Sequence, residues 1–238
     1  MTPYRHEDSL IGSAPAEGVL MKRALALLVS LFSLSLAAAP AAVVKAQSAV
    51  YNLWRFEEGA LRVICSGTVI QTKQGPRFLS AGHCVEDATA ARYYISQATD
   101  PSFLVRVTLE DWYDTWPTSD YSLFSLPKGF HSPALPLCAG QAAIGEDVWS
   151  WTGPLGIVPV LRTGMYSGPL HFPDDSEAEN EVGGMFFVQT NGDGGSSGSS
   201  LLRLENGSVC VWAIWVGGWT TRVKLDGALG VPIPPAAR

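Results

Sequence analysis

Charged residues are scarce in this sequence. Only 16% of its 238 residues are Asp, Glu, Lys or Arg, whereas 47% are hydrophobic. That balance excludes an intrinsically disordered chain. The 16 basic residues are outnumbered by 22 acidic ones, which gives a net charge of −6. Because a nucleic-acid-binding protein needs a basic surface to neutralise phosphates, we expect no nucleic-acid partner.

Cysteine and histidine are scarce as well, with four of each. Their spacing does not match the ligand pattern of a zinc site, so the sequence predicts no metal and no other cofactor. Long charged amphipathic stretches are missing, which argues against long helices. The 24 glycines and 16 prolines favour a protein of strands and turns.

The amino-terminal part has the composition of a secretory signal peptide. A basic start at 21–23 precedes an apolar run over 24–39, and small residues continue to Ala46. We expect Met21 to be the true start and cleavage to follow Ala39 or Ala46, so that the mature chain begins near Gln47. The alternative is an uncleaved membrane anchor, because the apolar run is nearly long enough to span a bilayer.

Export would place the protein in a secreted or periplasmic location with no membrane attachment after cleavage. An even number of cysteines in an oxidising compartment predicts two disulfides. Three pairings are open at this point, and free buried thiols are the alternative. The four cysteines are Cys65, Cys84, Cys138 and Cys210.

The rest of the chain alternates short β-rich runs with clusters of Gly, Pro, Asp and Thr. Six runs precede a proline-broken connector and six follow it, which predicts two small barrels or sandwiches. The predicted strands are Val50–Arg55, Leu61–Ile70, Arg77–Ser80, Arg92–Ser96, Phe103–Leu109, Tyr121–Leu126, Asp147–Thr152, Ile157–Thr163, Met185–Gln189, Leu201–Leu204, Val209–Val216 and Thr220–Leu225.

Three short motifs carry residues suited to nucleophilic catalysis. His83 follows a predicted strand, Asp120 begins another, and Ser197 lies in the Gly/Ser-rich stretch over 190–202. Taken singly, they suggest a packed histidine, a turn aspartate and a flexible linker. Together they have the chain order His, Asp, Ser that chymotrypsin-type proteases use.

From about Val50 to Val223 the sequence resembles the trypsin/chymotrypsin-like serine protease family, in a compact, bacterial-type form. The resemblance rests on AGHC at 81–84, DYSLF at 120–124 and GSSGS at 195–199. It implies an all-β fold of two six-stranded antiparallel Greek-key β-barrels with the active site at their interface. The domains expected are 1–46 (upstream residues and signal peptide), 47–130 (first barrel), 131–145 (connector), 146–230 (second barrel) and 231–238 (loose tail).

The resemblance also implies a role for each residue. Ser197 is the nucleophile, His83 takes and returns its proton, and Asp120 orients the imidazole. The backbone N–H groups of Gly195 and Ser197 form the oxyanion hole. The register of the Gly-x-Ser-Gly frame selects Ser197 over its neighbours Ser196, Ser199 and Ser200.

Cysteine pairing follows from the same resemblance. Cys65 matches the family cysteine that pairs with the one after the catalytic histidine, which implies the disulfide Cys65–Cys84. Cys138 is then left to pair with Cys210, a bridge that is not matched to the family pattern.

The substrate pocket departs from the trypsin pattern. Asn191 stands where an aspartate would set specificity for basic residues, so cleavage after Lys or Arg is not expected unless Asp193 reaches the pocket. The pocket wall is expected at Val216, Gly217 and Gly218, where the substrate main chain would pair. The tryptophans of this region either line the pocket or belong to the core: Trp212, Trp215 and Trp219.

Two further departures concern regulation. Ser196 replaces the acid that, in the family, binds the amino terminus freed by zymogen cleavage, so activation by that route is not expected. The acidic stretch 174–181 suits calcium, basic substrates or, more simply, a solvated turn.

The sequence therefore predicts a secreted, monomeric serine endopeptidase acting on proteins or peptides. The main alternative is a catalytically inactive homologue that serves as an extracellular binding module. A serine esterase of the α/β-hydrolase type is disfavoured, because that fold places its triad in the order Ser, acid, His.

Overall fold

The structure is a computed structural model that describes residues 38–85, 92–97, 99–115, 119–153, 156, 158–169, 186–190, 195–220 and 226–233. Pro40–Arg238 forms one compact unit. It begins with helix α1 (Ala41–Lys45) and a 3₁₀ helix (Ala46–Ala49).

Twelve described strands follow, six in each half of the chain. The first six are β1 (Val50–Glu57), β2 (Ala60–Thr72), β3 (Gly75–Ser80), β4 (Arg92–Gln97), β5 (Asp100–Thr115) and β6 (Ser119–Ser125). The second six are β7 (Asp147–Thr152), β8 (Val160–Pro169), β9 (Phe186–Gln189), β10 (Ser200–Glu205), β11 (Ser208–Thr220) and β12 (Asp226–Pro232).

Both halves have the same antiparallel strand order, which is that of a Greek key. The first barrel runs β1-β2-β3-β6-β5-β4, and the second runs β7-β8-β9-β12-β11-β10. The first closes through the long pairing of β1 with β4. The second closes through the single pair Leu202 and Trp149. The predicted fold of two six-stranded antiparallel barrels is confirmed.

The core explains why these runs form strands. Inward-facing aromatic and β-branched side chains fill the first barrel, where the rings of Phe78 and Tyr93 both contact Phe124. The same apolar cluster continues into the second barrel through Leu202 and Ile214. Because one cluster reaches both barrels, burial of apolar surface holds them together.

The connector between the barrels is more ordered than its composition indicates. Leu135 exchanges backbone hydrogen bonds with Val69 and Gln71 of the first barrel, at 2.9 and 2.8 Å. Three residues later, the N–H of Cys138 donates to the C=O of Val211 in the second barrel. A short extended segment thus pairs with both barrels in turn.

The carboxyl-terminal strand differs from the prediction. Of the last predicted strand, Thr220–Leu225, Thr220 belongs to β11 and 221–225 lie outside the described residues; the twelfth described strand, at Asp226–Pro232, was not predicted. Val231 and Ile233 are buried, so the expected loose tail over 231–238 is wrong for its first three residues. The rest of that tail, 234–238, lies outside the described residues.

The amino-terminal segment packs against the second barrel. Val43 of α1 is fully buried, and its carbonyl accepts a 2.7 Å hydrogen bond from Nε1 of Trp151 in β7. Ala46 and Ala49 belong to the large apolar cluster. Most of the expected signal peptide, residues 1–37, lies outside the described part. None of the helices that the structure describes is long and apolar enough to cross a membrane.

Candidate active site

Asp120 and His83 form a buried, hydrogen-bonded pair in the first barrel. Asp120 is 2% exposed near the start of β6. Its Oδ2 lies 2.7 Å from Nδ1 of His83. Its Oδ1 accepts hydrogen bonds from the backbone N–H of Gly82 at 2.6 Å and of His83 at 2.9 Å. The carboxylate therefore fixes both the ring and the main chain of the histidine.

The glycine before the histidine is required by a close backbone approach. A Cβ on Gly82 would collide with the carbonyl of Tyr113 in β5 and approach the N–H of Tyr121. Since glycine alone lets two backbones come this close, Gly82 brings the histidine motif against β5 and β6. That approach is what allows Asp120 to reach the N–H groups of 82 and 83.

The surroundings of His83 favour its protonated form. The hydrogen bond to Asp120 raises the pKa of His83 above its ordinary value of 6.5, burial opposes this, and the charges of Asp120 and Asp114 raise it further. Asp114 lies in β5, directly opposite Asp120 in the β5–β6 register. The imidazole is thus more basic than a free one and is held with Nδ1 facing the acid, which leaves Nε2 for a second partner.

Ser197 differs from the serines around it. Ser196, Ser199 and Ser200 are at most 2% exposed, whereas Ser197 is partly exposed. Gly195 and Gly198 on either side have φ of +86° and +83°, values that glycine adopts without strain. Among the candidate nucleophiles of this stretch, a substrate can reach Ser197.

Backbone hydrogen bonds fix the loop that carries Ser197. The N–H of Gly198 donates to the C=O of Trp215 at 2.7 Å, and the N–H of Trp215 donates to the C=O of Ser199 at 2.8 Å. A Cβ on Gly198 would collide with the C=O of Ser66 and the hydroxyl of Ser80. Gly198, the glycine after Ser197, therefore lets the loop pack directly on the first barrel.

Strand β2 links the serine loop to the histidine motif. The N–H of Ser66 in β2 donates to the C=O of Ser197 at 2.9 Å, and Cys65, the preceding residue, is bridged to Cys84 beside His83. In the described part of the chain, no hydrogen bond joins the Ser197 hydroxyl to His83. Such catalytic hydrogen bonds are often long in unliganded enzymes and tighten when substrate binds.

Two disulfides are formed, between Cys65 and Cys84 and between Cys138 and Cys210. They are the two pairs expected from the sequence. Atoms of Cys65, His83 and Cys84 lie within 4.8 Å of one another, but both sulfurs are committed to the disulfide. They are therefore not thiolates, the form of cysteine that binds metals.

The expected pocket wall lies at the end of β11. Gly217 and Gly218 pair on one side with Leu229 and Ala228 of β12. On the other side, β10 pairs with β11 only as far as Ile214. Among the described strands, the edge of β11 beyond Trp215 is therefore open to a further strand, as main-chain pairing with a substrate requires.

The side chains near that wall divide between core and surface. Val216 is 5% exposed, so it supports the wall from within. Trp212 stacks on Phe186, with ring centroids 4.4 Å apart, and Trp215 is 1% exposed. Both tryptophans are core residues. Asn191, Asp193 and the acidic stretch 174–181 lie outside the described residues, as does the side chain of Trp219.

A family model described as a trypsin-like peptidase domain matches residues 65–210, which span the histidine, aspartate and serine motifs. The chain belongs to the trypsin-like peptidase family. It is accordingly a serine-type endopeptidase, as the sequence predicts. No curated protein matches the sequence significantly.

Solved proteases share the fold of this trypsin-like peptidase. The active form of the Rv3671c protease from M. tuberculosis matches 98% of this chain and 88% of its own, with 16% identity and a TM-score of 0.60. A serine endoprotease from Yersinia pestis matches 80% and 61%, with 15% identity and a TM-score of 0.58. The thermostable serine protease AL20 from an extremophilic microorganism matches 78% and 91%, with 16% identity and a TM-score of 0.57.

Two residues of this trypsin-like peptidase site are missed from the sequence alone. Asp114 is one of several acids in a strand, and only the β5–β6 register places it opposite Asp120. Ser66 stands beside Cys65 without a signal of its own, because the partners of its hydroxyl are more than 80 residues away. The position of Asp114 opposite Asp120 could be predicted by counting back along the β5–β6 hairpin, but no local pattern identifies Ser66.

Proposed function

We propose that this peptidase hydrolyses peptide bonds through Ser197, His83 and Asp120 and an acyl-enzyme intermediate. The observation that carries the proposal is the accessibility of one serine, Ser197, in a loop packed on the barrel that holds the His83–Asp120 pair. No cofactor takes part.

The proposed reaction has two halves. The Oγ of Ser197 attacks the scissile carbonyl while Nε2 of His83 takes its proton, and the C–N bond then breaks as His83 returns that proton to the leaving amine. Water next attacks the acyl-enzyme with His83 again as base, releasing the carboxylic acid and restoring the serine. The N–H groups of Gly195 and Ser197 stabilise the oxyanion, and each such donor is typically worth a few kcal/mol in the transition state.

The open edge of β11 supports an extended peptide or protein as the substrate. The main chain of the substrate would pair with Val216–Gly218, beside the Ser197 loop that hydrogen bonds to Trp215 hold in place. We propose that the residue preference is set by the pocket of Asn191, Val216, Gly217 and Gly218. Asn191 argues against cleavage after Lys or Arg unless Asp193 reaches that pocket. We propose that the protein acts as a monomer.

Burial of Ser196 supports a site that needs no zymogen switch. Its side chain is 1% exposed and carries no negative charge. A newly freed amino terminus would therefore find no carboxylate at this position, and burying its charge without a partner is costly.

Two disulfides fit an oxidising compartment, and we propose that the peptidase is secreted or periplasmic. Of the two cleavage positions, the one after Ala46 would remove Val43 and the carbonyl that Trp151 binds. We therefore favour cleavage after Ala39, before the compact unit begins at Pro40. The intact mass of the exported protein distinguishes the two positions.

A fluorophosphonate probe tests the proposed nucleophile. The folded protein should be labelled, and Ser197→Ala and His83→Ala should lose labelling. Ser196→Ala is the matched control for the serine, since that side chain is a buried neighbour. His131→Ala is the control for the histidine, because His131 lies in the connector and not beside Asp120.

Each result decides between the enzyme and its alternatives. Absence of labelling in folded wild-type protein would favour an inactive homologue that binds other proteins. Labelling that survives Ser197→Ala would assign the nucleophile to another serine. Hydrolysis products of a peptide library then define the residue preference.

A further inference from the structure

We propose that Ser66 is a positioning residue that fixes the oxyanion hole from the opposite barrel. This inference rests on the proposed function, because it concerns the N–H groups assigned to the oxyanion hole. Ser66 lies in β2 of the first barrel and is fully buried. It contacts both residues that supply those N–H groups.

Ser66 donates a hydrogen bond to the carbonyl oxygen of each of these two residues. Its backbone N–H donates to the C=O of Ser197 at 2.9 Å. Its hydroxyl donates to the C=O of Gly195 at 2.8 Å. One residue of the first barrel therefore binds two alternate carbonyls of the nucleophile loop.

A third hydrogen bond orients the hydroxyl. The N–H of Gly153, at the end of β7, donates to Oγ of Ser66 at 2.9 Å. A hydroxyl has one proton to donate, and with the Gly153 N–H bound at its lone pair, that proton points to Gly195. The Oγ of Ser66, in the first barrel, thus links two segments of the second barrel: the nucleophile loop at Gly195 and the end of β7 at Gly153.

Gly195 needs this restraint because glycine rotates easily. Its φ of +86° is one of several regions that glycine populates with little penalty. Its N–H and its C=O lie in two successive peptide planes that meet at its Cα, so anchoring the carbonyl plane restricts the backbone rotations that would turn the N–H away from the substrate. An oxyanion donor contributes to the rate only when its direction is fixed beforehand.

Steady-state kinetics of Ser66→Ala test this role. The variant keeps the backbone hydrogen bond to Ser197 and loses the hydroxyl bridge to Gly195. We expect kcat and the fluorophosphonate labelling rate to fall roughly tenfold with KM nearly unchanged, because the oxyanion forms only in the transition state.

Ser150→Ala is the matched control. Ser150 is 2% exposed, and its hydroxyl donates to the C=O of Ser200 at 2.9 Å, just beyond the nucleophile loop. The Ser150→Ala variant therefore loses a buried serine hydroxyl and its hydrogen bond to a backbone carbonyl, but the hydrogen bond to Gly195 is kept. Its kcat should stay within about twofold of wild type, on the expectation that rate losses follow transition-state contacts.

Hydrogen exchange gives a readout that does not depend on activity. In a Ser197→Ala background, Ser66→Ala should speed exchange of the 195–199 amides, and Ser150→Ala should leave it unchanged. If wild-type protein is not labelled, the proposed function fails, and the exchange result alone decides whether Ser66 holds the loop. Unchanged exchange in Ser66→Ala, or equal effects of both variants on kcat, would overturn the inference.

Discussion

Two glycines allow close backbone packing beside the proposed catalytic side chains. Gly82 allows the histidine motif to lie against Tyr113, and Gly198 allows the serine loop to lie against Ser66 and Ser80. Both glycines stand in the motifs that the sequence identifies. The residues that they touch are distant in the chain, and their roles follow from the packing.

At the residue scale, Asp114→Asn should change the pH dependence of the reaction. In the proposed mechanism His83 must be neutral to accept the proton of Ser197, so kcat/KM should fall as the pH drops below the pKa of His83, which is raised above its ordinary value of 6.5. Removing the negative charge of Asp114 should lower the pKa of His83, because that charge is one of the interactions that raise it. The acid limb of the kcat/KM profile should therefore move to lower pH.

Asp147→Asn is the control for this pH experiment. Asp147 is an exposed carboxylate at the start of β7 and does not contribute to the pKa of His83. Its profile should overlay that of wild type. A shift to higher pH in Asp114→Asn, or an equal shift in both variants, would show that Asp114 does not act on His83.

At the scale of elements, composition predicts most strands but does not indicate β12. The run 220–225 is rich in residues that favour strands, whereas the sequence of β12, DGALGVP, contains Gly, Pro and Asp, which are depleted in strands. That segment becomes a strand because it pairs with both β9 and β11 and buries Leu229 and Val231. Tertiary pairing overrides local preference here.

The amino-terminal helix is another element whose role the sequence leaves ambiguous. Small apolar residues suit both a signal peptide and a segment packed on a barrel. Val43→Ala should lower the free energy of unfolding by about 1.5 kcal/mol, at roughly 0.8 kcal/mol per buried carbon. Val44, its neighbour, is 47% exposed, and Val44→Ala should change stability little.

Urea denaturation of the chain from Pro40 onwards measures both valine variants. A truncated chain that begins at Gln47 lacks α1 and should be less stable than Val43→Ala. Equal stability of the chains starting at 40 and 47 would mean that α1 adds nothing to the fold, and would restore Ala46 as a cleavage position.

At the scale of the whole molecule, the sequence predicts two barrels but not what joins them. Twelve β-rich runs and three motifs are sufficient for the architecture. The contacts of Leu135 with β2, and of Cys138 with β11, depend on residues far apart in the chain. No local pattern in the proline-broken connector indicates them.

The two disulfides should differ in their effect on stability. Cys138 and Cys210 are 72 residues apart, whereas Cys65 and Cys84 are 19 apart. On the chain-entropy account, removing the disulfide that closes the longer loop, by Cys138→Ala/Cys210→Ala, should lower the free energy of unfolding by about 4 kcal/mol. That loss is roughly 1 kcal/mol more than the loss expected for Cys65→Ala/Cys84→Ala. Urea midpoints with constant m-values measure the difference, and a larger loss for the shorter loop would contradict the entropic account.

The hydrogen bonds from Ser66 to Gly195 and Ser197 have a consequence for the order of events in folding. A chain in which only the first barrel has formed has the histidine and the acid but no serine loop. A chain in which only the second has formed lacks the groups that hold Gly195. In the proposed mechanism, peptidase activity would therefore appear only after both barrels have formed and docked.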